Sequence, residues 1–160
     1  MRVATLWFGR PAASPYEQEV ERYVRKVSRR WAAEDAPLRP ASGGRAADPG
    51  RVLAAESEAV RRRIPAGWRR IVLDREGRQV SSEQLASWLA TAEQRSTVGV
   101  AFVVGSDLGL ARDLREECDL VLSLSTMTLP HLLARLLLWE QLYRATQILG
   151  AGRYHRPRVQ

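Results

Sequence analysis

Three short stretches of this chain combine residue types that can hold a ligand. In "LDREG", Leu73 and Asp74 run toward Gly77. In "VVGSDLGL", Gly105, Ser106 and Gly109 let a ligand lie against bare backbone, because glycine has no Cβ to hold it off. In "LSLSTMTLPH", Ser123, Ser125, Thr126 and Thr128 set short hydroxyls, each both donor and acceptor, among apolar residues. Each stretch also has a plain structural reading: glycines end strands, and Ser or Thr ahead of Pro130 caps a helix. No Gly-x-Gly-x-x-Gly follows the first apolar run and no P-loop signature occurs, which removes support for nicotinamide cofactors and P-loop nucleotides.

Reactive side chains are few. Cys118 is the single cysteine, and His131 and His155 are the only histidines, too few soft ligands for a zinc site or a disulfide framework. His131 directly follows Pro130, in a first helical turn where a neutral imidazole can cap backbone groups. Basic residues number 25 against 18 acidic, and Lys26 is the only lysine. Arginine suits phosphate and carboxylate through its planar fork, so an anionic partner such as nucleic acid is favoured, although a compositional bias toward arginine explains the same excess. Arg61, Arg62, Arg63, Arg69 and Arg70 form the densest basic cluster, a candidate phosphate patch with a solvated face as its plainer reading. No apolar stretch reaches signal-peptide or membrane-span length, so a cytoplasmic chain is expected.

The elements that must position these residues alternate as strand and helix, the pattern of an α/β domain with a mainly parallel sheet. With 160 residues and 45% hydrophobic content, one domain can bury a core unaided. Strands are predicted over residues 3–9, 36–41, 68–74, 98–105 and 119–125, the second at an edge because of Pro37 and Pro40. Helices are predicted between them. The first opens on a capping box of Ser14 with Glu17, and the third on one of Ser81 with Gln84. "REGR" is expected to turn after the third strand. The last helix, 130–149, is apolar nearly all round. Leu132, Leu136, Trp139 and Tyr143 form one row, Leu138, Leu142, Ala145 and Leu149 cover much of the rest, and Glu140 and Arg144 leave a narrow polar stripe. One face then meets the sheet and another a second copy of the chain.

An α/β chain of this length carrying "VSSEQLA", then "VGSDLG" after a strand, then "LSLSTMTLPHLLARLLLWEQLYRA" and a closing "YHR" resembles the ribosomal RNA large-subunit methyltransferase H family of SPOUT methyltransferases. The likeness covers essentially the whole chain, most specifically at 122–144 and Tyr154-His155 and least in the first 65 residues. It implies a single domain over 1–160 whose part from about residue 68 is tied into a C-terminal trefoil knot. It also implies S-adenosylmethionine as methyl donor, no metal, a homodimer, and methylation of N3 of a pseudouridine in ribosomal RNA on the assembled ribosome. Carried over by position, the cofactor pocket uses Leu73, Gly105, Leu124, Ser125, Thr126, Met127, Thr128 and Leu129. The tail offers Tyr154, His155 and Arg156 with Arg153 and Arg158 beside them. There His155 is expected to assist loss of the N3 proton, and Arg156 or Arg153 to steady phosphate or the uracil anion. A phosphate clamp without catalytic duty is the plainer reading of that tail.

One departure stands out. Where the family shows Ile-Gly-Gly, two residues and Gly, this chain has Val104 through Gly109, read as a valine for the first glycine and a loop one residue longer. That departure is the support for an alternative function, an RNA- or ribosome-associated binding protein of the same fold that has lost efficient methyl transfer.

Overall fold

The computed structural model describes residues 1–41 and 48–150. In chain order they form β1 (Arg2–Phe8), a 3-10 turn (Pro11–Ala13), α1 (Glu17–Val27), β2 (Ala32–Leu38), α2 (Pro49–Arg63) and β3 (Arg69–Gln79). Then come α3 (Ser82–Gln94), β4 (Gly99–Val104), α4 (Arg112–Glu116), β5 (Leu120–Ser123) and α5 (His131–Leu149). The strands make one sheet in the order β2-β1-β4-β3-β5, parallel at every pairing.

The pleat sorts the core into two layers. Val100, Phe102 and Val104 of β4 point with Val3, Trp7 and Ile71 toward α1, α3 and α5. Ala101 and Val103 point with Leu6, Phe8 and Val72 toward α2 and α4. Because both faces are covered, all six residues of β4 are buried, which is why this strand is an unbroken apolar run. Register then lines up the strand ends: Trp7 lies opposite Val104, Val104 opposite Leu73, and Leu73 opposite Leu122. The loops leaving β3, β4 and β5 therefore open at the same edge of the sheet.

α5 packs on both α1 and α3, and its one interior charge is fully buried. Arg135 donates from Nη1 to Glu17 Oε2 at 2.8 Å, and from Nη2 to Glu17 Oε1 at 3.1 Å and Asp35 Oδ2 at 2.6 Å. Its Nε donates to Asp35 Oδ1 at 3.1 Å, and its guanidinium stacks 3.8 Å above the Trp7 ring. Asp35 also accepts from the indoles of Trp7 and Trp139, at 2.8 and 2.7 Å. Burial disfavours the guanidinium charge, but the hydrogen bonds it donates to Glu17 and Asp35 outweigh it and hold the Arg135 pKa above its ordinary value.

This network explains where the first helix departs from expectation. Glu17 is drawn to Arg135 and does not close a capping box. α1 starts at Glu17, and Ser14 Oγ accepts from the Tyr16 N–H instead. β2 begins four residues earlier than expected, which brings Asp35 into the strand, and it does occupy a sheet edge. The Ser81–Gln84 capping box forms in full. β3 does not end in a turn at Asp74: it slips register against β5, with Leu73 and Arg78 both opposite Leu122, and continues to Gln79. Asp74 accepts from the Glu76 N–H, and a Cβ on Gly77 would lie 2.8 Å from the backbone of Val121 and Leu122, so only glycine fits where the strand returns to β5. Much of the "SGGRAADPG" loop lies outside the described residues.

Candidate functional site

At the shared edge the three loops enclose a cleft of about 630 Å³. Its apolar wall comes from Leu73, Val104, Leu124, Leu129 and Ala134, and polar groups come from Asp74, Ser106, Asp107, Ser125, Thr128 and His131. Volume and mixture both suit a cofactor-sized organic ligand. Of the eight residues carried over by position, Leu73, Gly105, Leu124, Ser125, Met127, Thr128 and Leu129 line this cleft, and Thr126 does not.

Residues 124–130 belong to neither helix nor strand. Ser123 Oγ donates to the Ser125 carbonyl at 3.0 Å, and Ser125 Oγ accepts from the Met127 N–H at 3.0 Å, so the serines shape the segment locally. Met127 is largely exposed at its outer end. The β4–α4 loop is tighter. Ser106 carbonyl accepts from the Gly109 N–H at 2.9 Å, Gly109 has φ +80°, and a Cβ on Gly105 would stand 2.6 Å from the Gly109 oxygen. Gly105 is thus required by the loop's own closure.

His131 does not cap α5. Its Nδ1 lies 2.8 Å from Asp107 Oδ1, tying the first turn of α5 to the β4–α4 loop across the cleft mouth. Asp107 lies within the quoted motif, but its partner is 24 residues away and no local spacing signals the pair. Asp74, also at the rim, accepts from Arg115 Nη1 at 3.0 Å.

Residues 1–155 match the family model described as "Predicted SPOUT methyltransferase". This chain belongs to that family. A protein named Ribosomal RNA large subunit methyltransferase H from Gloeobacter violaceus is 36% identical to this SPOUT methyltransferase over 155 residues, spanning 97% of this chain and 99% of the relative. Its namesake from Burkholderia cenocepacia is 44% identical over 115 residues, 72% of each chain. A probable methyltransferase structure from Bordetella pertussis superposes with a TM-score of 0.52 at 18% identity, over 90% of this chain and 95% of its own. At that identity the likeness is one of fold.

On this SPOUT scaffold the departure in the glycine motif moves. Val104 is the buried last residue of β4, and Gly105 and Gly109 hold the loop. Val104-Gly105-Ser106-Asp107-Leu108-Gly109 has the same six positions as Ile-Gly-Gly-x-x-Gly, so the loop is not longer: Val104 stands at the isoleucine and the glycine that is replaced is the second, by Ser106. The support that Val104 lent to an inactive binding protein falls away.

Three of the five clustered arginines are drawn into ion pairs. Arg61 pairs with Glu58, Asp113 and Glu117, Arg63 with Glu34, and Arg69 with Asp119. The catalytic candidates Tyr154, His155 and Arg156, with Arg153, lie outside the described residues. Among the described residues no group of three metal-ligating side chains occurs, and no helix is long and apolar enough to cross a membrane.

Proposed function

We propose that this SPOUT methyltransferase methylates N3 of a pseudouridine in large-subunit ribosomal RNA, on the assembled cytoplasmic ribosome, using S-adenosylmethionine held in the β3/β4/β5 cleft. The observation that carries the reading is the convergence of Leu73, Gly105 and the 124–129 segment on one cleft, in a chain 36% identical along nearly its whole length to a ribosomal RNA large subunit methyltransferase H. The apolar wall and the hydroxyls of Ser125 and Thr128 suit an adenosyl group, and the carboxylate of Asp107 suits a ligand with cationic groups. The bound donor supplies an electrophilic methyl on a sulfonium.

The chain's own task is to hold donor and acceptor nitrogen in line, which can contribute about 7–11 kcal/mol. Leu73, Val104, Leu124 and Leu129 give the donor site its apolar wall. The N3 proton must leave, and His155 with Tyr154 and Arg156 is our assignment for receiving it and steadying the anion. A homodimer and a trefoil knot from about residue 68 belong to the same reading. In support of the dimer, Leu132, Leu136 and Tyr143 stay only half-buried within one chain, whereas Trp139, expected in that row, turns inward to Asp35.

The test is mass mapping of ribosomal RNA from cells lacking this gene. One methylated pseudouridine is expected to be missing and to return on complementation; an unchanged map overturns the reading.

A further inference from the structure

One carboxylate near the cleft belongs to neither ion-pair network described above. Glu56, on α2, is only 4% exposed. It accepts a hydrogen bond from Ser106 Oγ through Oε2 at 2.8 Å. Burying a carboxylate is costly unless a donor meets it, and here the donor is a hydroxyl carried by the loop that lines the cleft. Glu56 itself does not line that cleft. Its partner stands where Ile-Gly-Gly-x-x-Gly has its second glycine, so the hydroxyl is an addition to the motif; within the loop, which Gly105 and Gly109 close, it also accepts from the Leu108 N–H at 3.4 Å.

We infer that Glu56 is a positioning residue for methyl-donor binding, acting through Ser106 to hold the β4–α4 loop in the shape that forms one wall of the cleft. The loop is held on two sides. On the α2 side Glu56 fixes Ser106, and on the α5 side His131 meets the next residue, Asp107. The Glu56 anchor is buried, whereas Asp107 is 88% exposed, so the first sets where the loop stands and the second is the contact water can replace. Loss of the anchor leaves Gly105 to Gly109 internally closed but free to shift as a unit away from Leu124 and Leu129 across the cleft.

This inference rests on the cofactor reading above, and calorimetric titration of the full chain with S-adenosylmethionine separates the two. Glu56→Ala and Ser106→Ala are each expected to weaken donor binding about tenfold, the scale of a charge-assisted hydrogen bond to a buried acceptor. The double variant should be no weaker than the poorer single one, because both remove the Glu56–Ser106 contact and any loss particular to Ser106, whose Oγ also accepts from the Leu108 N–H, is already present in that single variant. Glu56→Gln, whose amide oxygen still accepts from the serine, should bind within about threefold of the parent. In turnover the losses should appear in KM for the donor and leave kcat at saturating donor unchanged. Ser106→Ala alters a loop side chain only, so it remains informative if Glu56→Ala fails to fold. Parent binding with Ser106→Ala unchanged, or losses that add in the double variant, overturns the role of Glu56. A parent that binds no donor overturns the cofactor reading and this inference together.

Discussion

Two arginines in this molecule each gather several carboxylates, and they hold the fold to very different degrees. Arg135 has no exposed surface and joins α5 to α1 and β2 through Glu17 and Asp35. Arg61 keeps 24% of its side chain exposed and joins α2 to α4 through Asp113 and Glu117, with Glu58 on its own helix. Each guanidinium donates four hydrogen bonds to carboxylates, so the difference comes from solvent. Around Arg61, whose partners are mostly in solvent, water can replace any of them, while around Arg135 it reaches the guanidinium not at all, Asp35 little and Glu17 only in part. Removing one member of a buried network leaves uncompensated charge, whereas an exposed pair contributes little.

The largest effect should come from Arg135→Ala, which strands Glu17 and Asp35 and opens a gap beneath Trp7. Urea unfolding should show a loss of about 3–5 kcal/mol; a loss as small as that of a surface variant would break the comparison. Arg61→Ala should cost less than about 1 kcal/mol, shrinking further in added salt. Its pH dependence sharpens the contrast. The hydrogen bond from Arg61, foremost, holds the Asp113 carboxyl below its usual range. The contribution of that contact is therefore present above the unfolded value of about 4 and lost as pH falls through the folded one, so parent and Arg61→Ala should converge in acid. A difference that persists in strong acid would mean that Arg61 acts by packing, not by charge.

The smallest effect is chemical. Cys118 follows Glu117 at the end of α4, and burial pushes its thiol up to about 11. Such a thiol carries about a hundredfold less thiolate at pH 8 than one titrating near 9, so iodoacetamide should label it slowly. Arg61→Ala, by loosening α4, should speed that labelling in the folded protein. Rapid labelling of the parent would show the α4 end to be far more open than the packing of Leu114 and Cys118 against the core indicates.

How much of this was legible in the sequence follows the distance between partners. β4 announces itself because both its faces are buried, and the Ser81–Gln84 box because its two members lie three residues apart. The Ser14–Glu17 box has the same spacing and fails, since Arg135 competes for Glu17 from 118 residues away. Asp35 looks like an ordinary polar residue in "AAEDAPL", and its role needs Trp7, Arg135 and Trp139 around it. An arginine inside "LLARLLLW" was a signal that buried carboxylates had to exist, but not which ones. The cleft shows the same division. Its loops were marked by glycine and hydroxyl residues and by the family likeness, while their convergence depends on the register that sets Leu73, Val104 and Leu122 side by side. Glu56, inside "AAESEAV", carries no local mark of burial.

The tie between Glu17 and Arg135 also sets a timetable. During synthesis α1 and β2 emerge long before the residue that neutralises them, and at about 5–20 residues per second the gap of 118 residues lasts on the order of 6–24 s. Through that interval Trp7 and the two carboxylates lack the cover that α5 brings, and Phe102 joins them late in it. The nascent chain must therefore wait, partly assembled, for its own last helix, and a transcript cut short before α5 encodes a sheet with one layer of its core left open to water.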